Sequence, residues 1–257
     1  MLRHDRIATI VSENHPAALC LVTETSGSTP RKAGARMVVF ADGTDLGHIE
    51  GTIGGGVVEH EVRIRAVKAI ATLKTEQFKV ALTHELGMCC GGQMTIYIEP
   101  LRERSPCLIF GAGHIALALG RLAAQCGFEL HICDPREELL NAERLPFAAE
   151  LHKGYSSSFI EQLPLLPDTF IVIATHSHQT DQELVEALLA KPFRYLALVG
   201  SKRKALMTRE RCLNKGFSQE MINRVHCPAG LDIKAETPEE IAVSILAQMI
   251  QTKRGMS

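Results

Sequence analysis

The chain predicts an α/β protein in two parts: an N-terminal α/β domain over residues 1–101, then a Rossmann-like, doubly wound parallel-sheet domain over residues 106–257. Three observations carry this reading. The turn Gly111-Ala112-Gly113-His114-Ile115-Ala116 lies between an apolar run and a helical pattern, with Asp134-Pro135-Arg136 about 20 residues further on. Beyond it, strand-like runs alternate with helix-like ones, as in a parallel sheet. The turn also comes late, so a complete domain must precede it, and 257 residues with 46% hydrophobic content can supply one.

Taken in order, residues up to Asn14 have the spacing of an amphipathic helix, and Ala17 to Thr25, rich in Leu, Val and Thr, predict a strand. Ser26-Gly27-Ser28-Thr29-Pro30-Arg31 has loop composition. Arg36 to Phe40 and His48 to Ile53 predict two strands joined through Asp42-Gly43, and Gly54-Gly55-Gly56 leads into a helix from Val57 to Leu73. Phe78 to Leu82 and Met94 to Ile98 predict further strands, with Leu86-Gly87-Met88-Cys89-Cys90-Gly91-Gly92 between them. The polar stretch Arg102 to Pro106 is the expected linker. Cys107 to Phe110 then reads as a buried parallel strand, Ile115 to Cys126 as its helix and Leu130 to Cys133 as the next strand, which sets Asp134 at a strand end. Strands Phe170 to Ala174 and Tyr195 to Val199 alternate with helices Gln179 to Leu189 and Lys202 to Leu213. Thr237-Pro238-Glu239-Glu240 is a capping box with proline at the first helical position, and it starts a final helix to about Gln251.

Composition removes several function classes. The net charge is −1 and the basic residues are scattered, so nucleic acid has no electrostatic footprint. Met1 to Arg6 lacks the apolar core of a signal peptide, and no apolar run is long enough for a bilayer; a cytoplasmic, membrane-free protein is expected. Of eight cysteines, Cys20, Cys107, Cys126 and Cys133 sit inside apolar patterns and read as small buried hydrophobes. No C-x-x-C pair occurs, which argues against a structural zinc site.

Chemistry concentrates in a few segments. Gly111 allows a tight turn, Gly113 lets a pyrophosphate approach the backbone, and the helix N-terminus supplies amide donors; Ala116 replaces the third glycine. Asp134 suits a ribose diol, while Arg136 suits a 2′-phosphate or a helix cap, so NAD(P) is one candidate ligand; packing alone also places glycines at such turns. Cys89 and Cys90 are adjacent thiols backed by Gly91-Gly92, able to ligate a soft metal, carry sulfur as a persulfide or simply pack in a tight loop. Gly54, Gly55 and Gly56 precede a helix in the manner of a backbone anion nest, though a plain glycine bend has the same sequence, and Glu59 favours the helix dipole in either case. Ser26 to Arg31 could clamp an oxyanion or serve as loop. His176, His178 and Asp181 follow a strand, and His114 projects from the glycine turn at the same sheet edge; imidazoles there could bind a metal, move a proton or face solvent. Gly200-Ser201-Lys202-Arg203-Lys204 starts a helix with three cations, facing either phosphate or water.

In their joint order these segments resemble the XdhC/CoxI family, accessory factors for xanthine dehydrogenase and related molybdenum hydroxylases. The likeness rests on Glu24 to Arg31, Gly51 to Glu59, Cys89 to Gly92, Gly111 to Gly120 with Asp134-Pro135-Arg136, Thr175 to His178, Gly200 to Lys204, and Gly230 to Ile233 before Thr237 to Ala242. The resemblance implies a chaperone rather than a turnover enzyme. Such a factor binds molybdenum cofactor (molybdopterin), protects it while an oxo ligand is exchanged for a sulfido ligand, and inserts it into a hydroxylase of the xanthine dehydrogenase type. It also implies a homodimer, with a cysteine desulfurase and the target hydroxylase as partners. The cofactor-binding set expected on this chain is Gly54, Gly55, Gly56, Cys89, Cys90, Gly91, Gly111, Gly113, His114, Asp134, Arg136 and His176, with Cys89 and Cys90 also the ligands offered to molybdenum. Relatives of the carbon monoxide dehydrogenase branch have cysteine where this chain has Val57, which places it nearer the xanthine dehydrogenase branch. The competing readings are an NAD(P)-dependent oxidoreductase built on the second domain, and an interaction protein with no small ligand.

Overall fold

Burial alternates along the first long strand, as it must when one face of a sheet meets a helix. The structure is a computed structural model that describes residues 2–82, 91–102, 104–163 and 165–255, and the chain divides into two units, Met1–Glu103 and Arg104–Ser257.

The first unit runs α1 (His4–Ser12), β1 (Ala17–Ser26), β2 (Arg36–Phe40), β3 (His48–Gly51), α2 (Gly56–Thr72), β4 (Glu76–Ala81) and β5 (Gln93–Pro100). Its five strands lie in the order β3-β2-β1-β5-β4, every neighbour antiparallel. Val58, Val62, Ala66, Ala69 and Ile70 form the apolar stripe of α2 and pack on Ala18, Cys20, Met37, Val39 and Ile96. The alternate residues Ala17, Val38 and Phe40 point the other way and meet Ile10 of α1.

The second unit continues with β6 (Ser105–Phe110), α3 (His114–Gln125), β7 (Phe128–Asp134), β8 (Ala148–Lys153), α4 (Ser157–Gln162), β9 (Phe170–Ile173), α5 (His178–Leu189), β10 (Tyr195–Leu198), α6 (Lys202–Asn214), α7 (Gln219–Asn223), β11 (Val225–His226) and α8 (Pro238–Arg254). The sheet order β11-β10-β9-β6-β7-β8, all parallel, is the doubly wound order of a Rossmann fold. Every residue of β6 is buried, as a central parallel strand requires. Helices α3 and α8 cover one face: Ala116, Leu119, Gly120 and Ala123 of α3, spaced i, i+3, i+4, i+7, meet Ala242, Ile245, Leu246 and Met249 of α8, spaced identically. The other face carries Leu184, Val185 and Leu188 of α5 with Cys212 of α6 and Ile222 of α7.

The expected elements are present, with β8, α4, α7 and β11 in addition. Both added strands are sheet edges. Ala148–Lys153 is half-buried to exposed throughout, so it never shows the apolar run of an inner parallel strand. Among the described residues, no helix is long and apolar enough to cross a membrane.

Candidate functional site

Strand order reverses between β6 and β9, so the crevice for a ligand lies beyond their carboxyl ends, between the Gly111–Gly113 turn and the Ala174–Ser177 segment. The glycines at this turn have different reasons for being glycine. Gly111 has φ +105°, and a Cβ there would overlap the Ala174 carbonyl oxygen. At Gly120 a Cβ would run into the Phe147 ring. Gly113 is otherwise: its φ of −74° suits any residue, and among the described residues an added Cβ would meet nothing within 4 Å. Neither its conformation nor packing against the described residues requires glycine there. What its missing side chain leaves open is the N-terminus of α3. Ser156, Ser177, Ser201, Ser218 and Thr237 cap α4 to α8 by accepting a backbone N–H, whereas Gly113 gives α3 no side-chain cap. The first amides of α3 and the positive end of its dipole therefore face the crevice without a side-chain acceptor from their cap.

The two walls of the crevice are held by buried carboxylates. Asp134 is fully buried, and both its oxygens are engaged. Oδ2 accepts from the Ala112 amide at 2.7 Å and from Arg136 Nη2 at 2.7 Å, while Oδ1 accepts from Arg136 Nε at 2.8 Å and the Arg136 amide at 2.9 Å. Burial opposes ionisation here, but the Arg136 guanidinium and the two amides outweigh it and keep the Asp134 pKa below its usual range. This corrects the expectation of a carboxylate free to receive a ribose diol: Arg136 occupies it in a bidentate pair. Arg144 Nη1 also donates to the Ala112 carbonyl at 2.6 Å and fixes the turn from outside.

On the opposite wall, buried Asp181 accepts from the Thr175 hydroxyl at 2.7 Å and the Thr175 amide at 3.2 Å, and it pairs with Lys204 Nζ. Lys204 Nζ also donates to the Val199 carbonyl at 2.8 Å. Of the three cations at the start of α6, Lys202 and Arg203 face solvent while Lys204 turns inward. Gly200 and Lys202 share a cleft of about 510 Å³ with Gly230, Leu231 and Asp232. His114, His176 and His178 are exposed, and they do not bring ligand atoms close enough to share an ion. Of the alternatives the sequence left open for these imidazoles, solvent-facing rings agree with their exposure.

The first unit has its own glycine turn, and that turn is already filled. Glu59 folds back from α2 so that Oε1 accepts from the Thr52 hydroxyl at 2.5 Å and from the amides of Gly55, Ile53 and Gly54 at 2.9, 3.0 and 3.2 Å. Burial raises its pKa, but these four donors together outweigh burial and hold it below that of an ordinary glutamate. The amides of Ile53, Gly54 and Gly55 form an anion nest, one residue earlier than the glycine triplet, and the anion in it is the chain's own. Gly54, Gly55 and Gly56 all have positive φ, so backbone conformation alone accounts for glycine at each.

Both units match known families. Residues 107–249 match the XdhC Rossmann domain and residues 10–81 match the XdhC and CoxI family. This chain belongs to the XdhC and CoxI family. The uncharacterized protein YqeB of Escherichia coli (strain K12) is 36% identical over 253 residues, which cover 96% of this chain and 46% of that protein. A probable xanthine dehydrogenase subunit of Bacillus subtilis (strain 168) is 30% identical over 162 residues, 63% of this chain and 47% of the other. The molybdenum cofactor insertion chaperone PaoD of Escherichia coli (strain K12) is 22% identical over 291 residues, 92% and 83% of the two chains. A crystal structure of a xanthine dehydrogenase from Bacillus halodurans shares the fold, with a TM-score of 0.54 at 24% identity over 98% of this chain and 96% of that one. The chain spans about half the length of the first two of these relatives.

Three segments of the XdhC and CoxI unit that are far apart in sequence meet at one end of its sheet. Gly91 bridges Ser28, a Cβ on Gly92 would overlap the Ser28 carbonyl oxygen, and one on Gly54 would press on Pro30 at 2.6 Å. Gly91 donates to the Leu82 carbonyl at 3.0 Å, and the Leu82 amide donates to Gly92 at 2.8 Å. Cys89 and Cys90 lie outside the described residues. Four of the described cysteines are poor nucleophiles: burial pushes Cys20, Cys107 and Cys133 up to about 12 and Cys227 up to about 11, whereas Cys126, expected to be buried, is exposed. Sequence reading missed Lys204 as the partner of Asp181, Arg144 as the clamp on Ala112 and Glu59 as the occupant of the nest. Each is a long-range or back-folding contact that no periodic pattern encodes.

Proposed function

We propose that this chain is an accessory factor that holds molybdenum cofactor and inserts it into a hydroxylase of the xanthine dehydrogenase type. Two relatives bear names of that kind, one naming xanthine dehydrogenase and the other a molybdenum cofactor insertion chaperone. The observation that carries the reading is Gly113. It is a glycine that neither its own conformation nor packing against the described residues requires, at the mouth of a helix without a side-chain cap, on the crevice where such folds bind ligands. A phosphate group fits this cradle, and molybdopterin carries one. The bidentate Arg136–Asp134 pair weighs against NAD(P), because the ribose of a dinucleotide would have to break it to reach the carboxylate.

When bound, the cofactor supplies the molybdenum chemistry. The chain's own part at the second unit is to offer the α3 amides to phosphate oxygens and to keep the Asp134 charge neutralised by Arg136 beside them. Cys89 and Cys90 are the proposed thiols on the molybdenum side, working with a cysteine desulfurase to exchange oxo for sulfido, and the proposed working form is a homodimer. Anaerobic purification from cofactor-replete cells, with metal analysis and mass spectrometry of the released ligand, tests this. The expected result is molybdenum and a pterin near one per chain, lost in Gly113→Ser and retained but unsulfurated in Cys90→Ala. Release of a nicotinamide dinucleotide without molybdenum would instead identify an oxidoreductase.

A further inference from the structure

His131 lies on β7, and Glu150 and His152 lie on the neighbouring edge strand β8. They alternate with Leu130, Ile132 and Leu151 of the α3-side core, so they project from the opposite face of the sheet. Three potential ligand atoms converge there. His131 Nδ1 is 3.5 Å from His152 Nε2, and Glu150 Oε2 is 3.5 Å from His131 Nδ1 and 3.3 Å from His152 Nε2. These separations lie beyond the about 2.7–3.2 Å of a close direct hydrogen bond and within ion-pair range. A tetrahedral ion bonded at about 2.0–2.1 Å holds its ligand atoms about 3.3–3.4 Å apart, within about 0.2 Å of all three separations here. An octahedral ion at the same bond length would draw them to about 3.0 Å. Among the described residues this is the one group of three or more His, Cys, Asp or Glu with that convergence.

A backbone irregularity builds the cluster. Leu130 pairs with Ala148 but His131 pairs with Glu150, so Ala149 is an extra residue that shifts the register by one. Without that bulge His131 would face Ala149, and Glu150 and His152 would turn to the core side. The bulge re-aims both β8 ligands toward His131. The two imidazoles lie nearly parallel, 12° apart with centroids at 5.7 Å, and Phe159 packs on His152 at 5.3 Å. About a quarter of each imidazole and 61% of the Glu150 side chain reach solvent, which leaves a route for an ion.

We infer that His131, Glu150 and His152 form a binding site for a zinc-class divalent cation, with three protein ligands and a fourth position open to water. Two imidazoles and a carboxylate are a donor set that zinc accepts. The site is independent of the cofactor reading, and either can fail alone.

The test is a titration of the chelator-stripped full chain with Co²⁺, followed by displacement with Zn²⁺. One equivalent of Co²⁺ is expected to give the visible absorption of a four-coordinate nitrogen and oxygen site without a near-ultraviolet thiolate charge-transfer band. His152→Ala and Glu150→Gln should each weaken binding by more than the roughly 10–100-fold that an outer-shell partner contributes. Glu150→Gln changes a mostly exposed side chain, so it keeps the fold if His152→Ala does not. The proposal is overturned if the visible bands are absent from the parent chain, or if both variants keep them at unchanged affinity. It is equally overturned if a thiolate charge-transfer band persists in both variants, which would put the metal on cysteine.

Discussion

Two glycine turns, each opening a helix, look alike in this sequence and end differently. At Gly54 to Gly56 the conformation demands glycine and the amides close on Glu59, whereas at Gly111 to Gly113 the conformation demands only the first glycine and α3 has no side-chain cap. A cradle of N–H groups becomes a ligand site only when the chain has not supplied the anion itself. The same comparison separates the acids near each turn. Glu59 enters its nest, but Asp134 takes one amide of the glycine turn, that of Ala112, and spends the rest of its capacity on the amide and guanidinium of Arg136.

The largest expected effect lies in the wall of the open turn. Lys204→Met strands the buried Asp181 charge and should destabilise the second unit by about 3–5 kcal/mol, read by urea unfolding. A loss below about 1 kcal/mol would mean that Thr175 is held without that pair.

Next comes the filled turn. Glu59→Gln removes a charged acceptor of four donors and should cost about 1.5–3 kcal/mol, and Glu59→Ala should make the first unit more responsive to added phosphate than the parent. The pH dependence has a defined sign. The folded-state pKa of Glu59 is lowered, so its contribution is complete above the unfolded value of about 4.3 and disappears as pH falls through the folded one. Parent and Glu59→Gln stabilities should therefore converge in acid; a constant gap down to the lowest pH would remove the charge from the explanation.

The smallest effect on stability is the sharpest on function. Gly113→Ser gives α3 the cap its neighbours have and should raise stability by a few tenths of a kcal/mol, while its hydroxyl competes for the amides that the proposed phosphate needs. A variant that is stabilised and still binds cofactor would make the two turns equivalent after all.

The Rossmann half was the more legible part of the chain. Cys107 to Phe110 and Phe170 to Ala174 are short apolar runs bounded by glycine or polar turns, and Thr237 to Glu240 is a local signal, so each could be read within a few residues. Asp134 was placed correctly at its strand end, but its partner Arg136 changes what it can do, and residue identity alone does not encode that pairing. The edge strands of the parallel sheet have no clear signal, because Ala148 to Lys153 is a short run of small and polar residues around the single large apolar Leu151, and the cluster of His131, Glu150 and His152 is hidden with them. Its members have no motif spacing; they meet only because a one-residue bulge rotates β8. The Lys204–Asp181 pair was missed for a related reason, since three consecutive cationic residues at a helix start look like a solvated end until one turns inward.

The docking of α8 on α3 has a consequence for how the protein is made. Lys253 bonds the Gly127 carbonyl across 126 residues, and the apolar stripe of α3 is covered by a helix that leaves the ribosome much later. During synthesis that stripe stays uncovered until α8 emerges, so completing this face of the second unit requires a long-range closure that local helix formation does not supply.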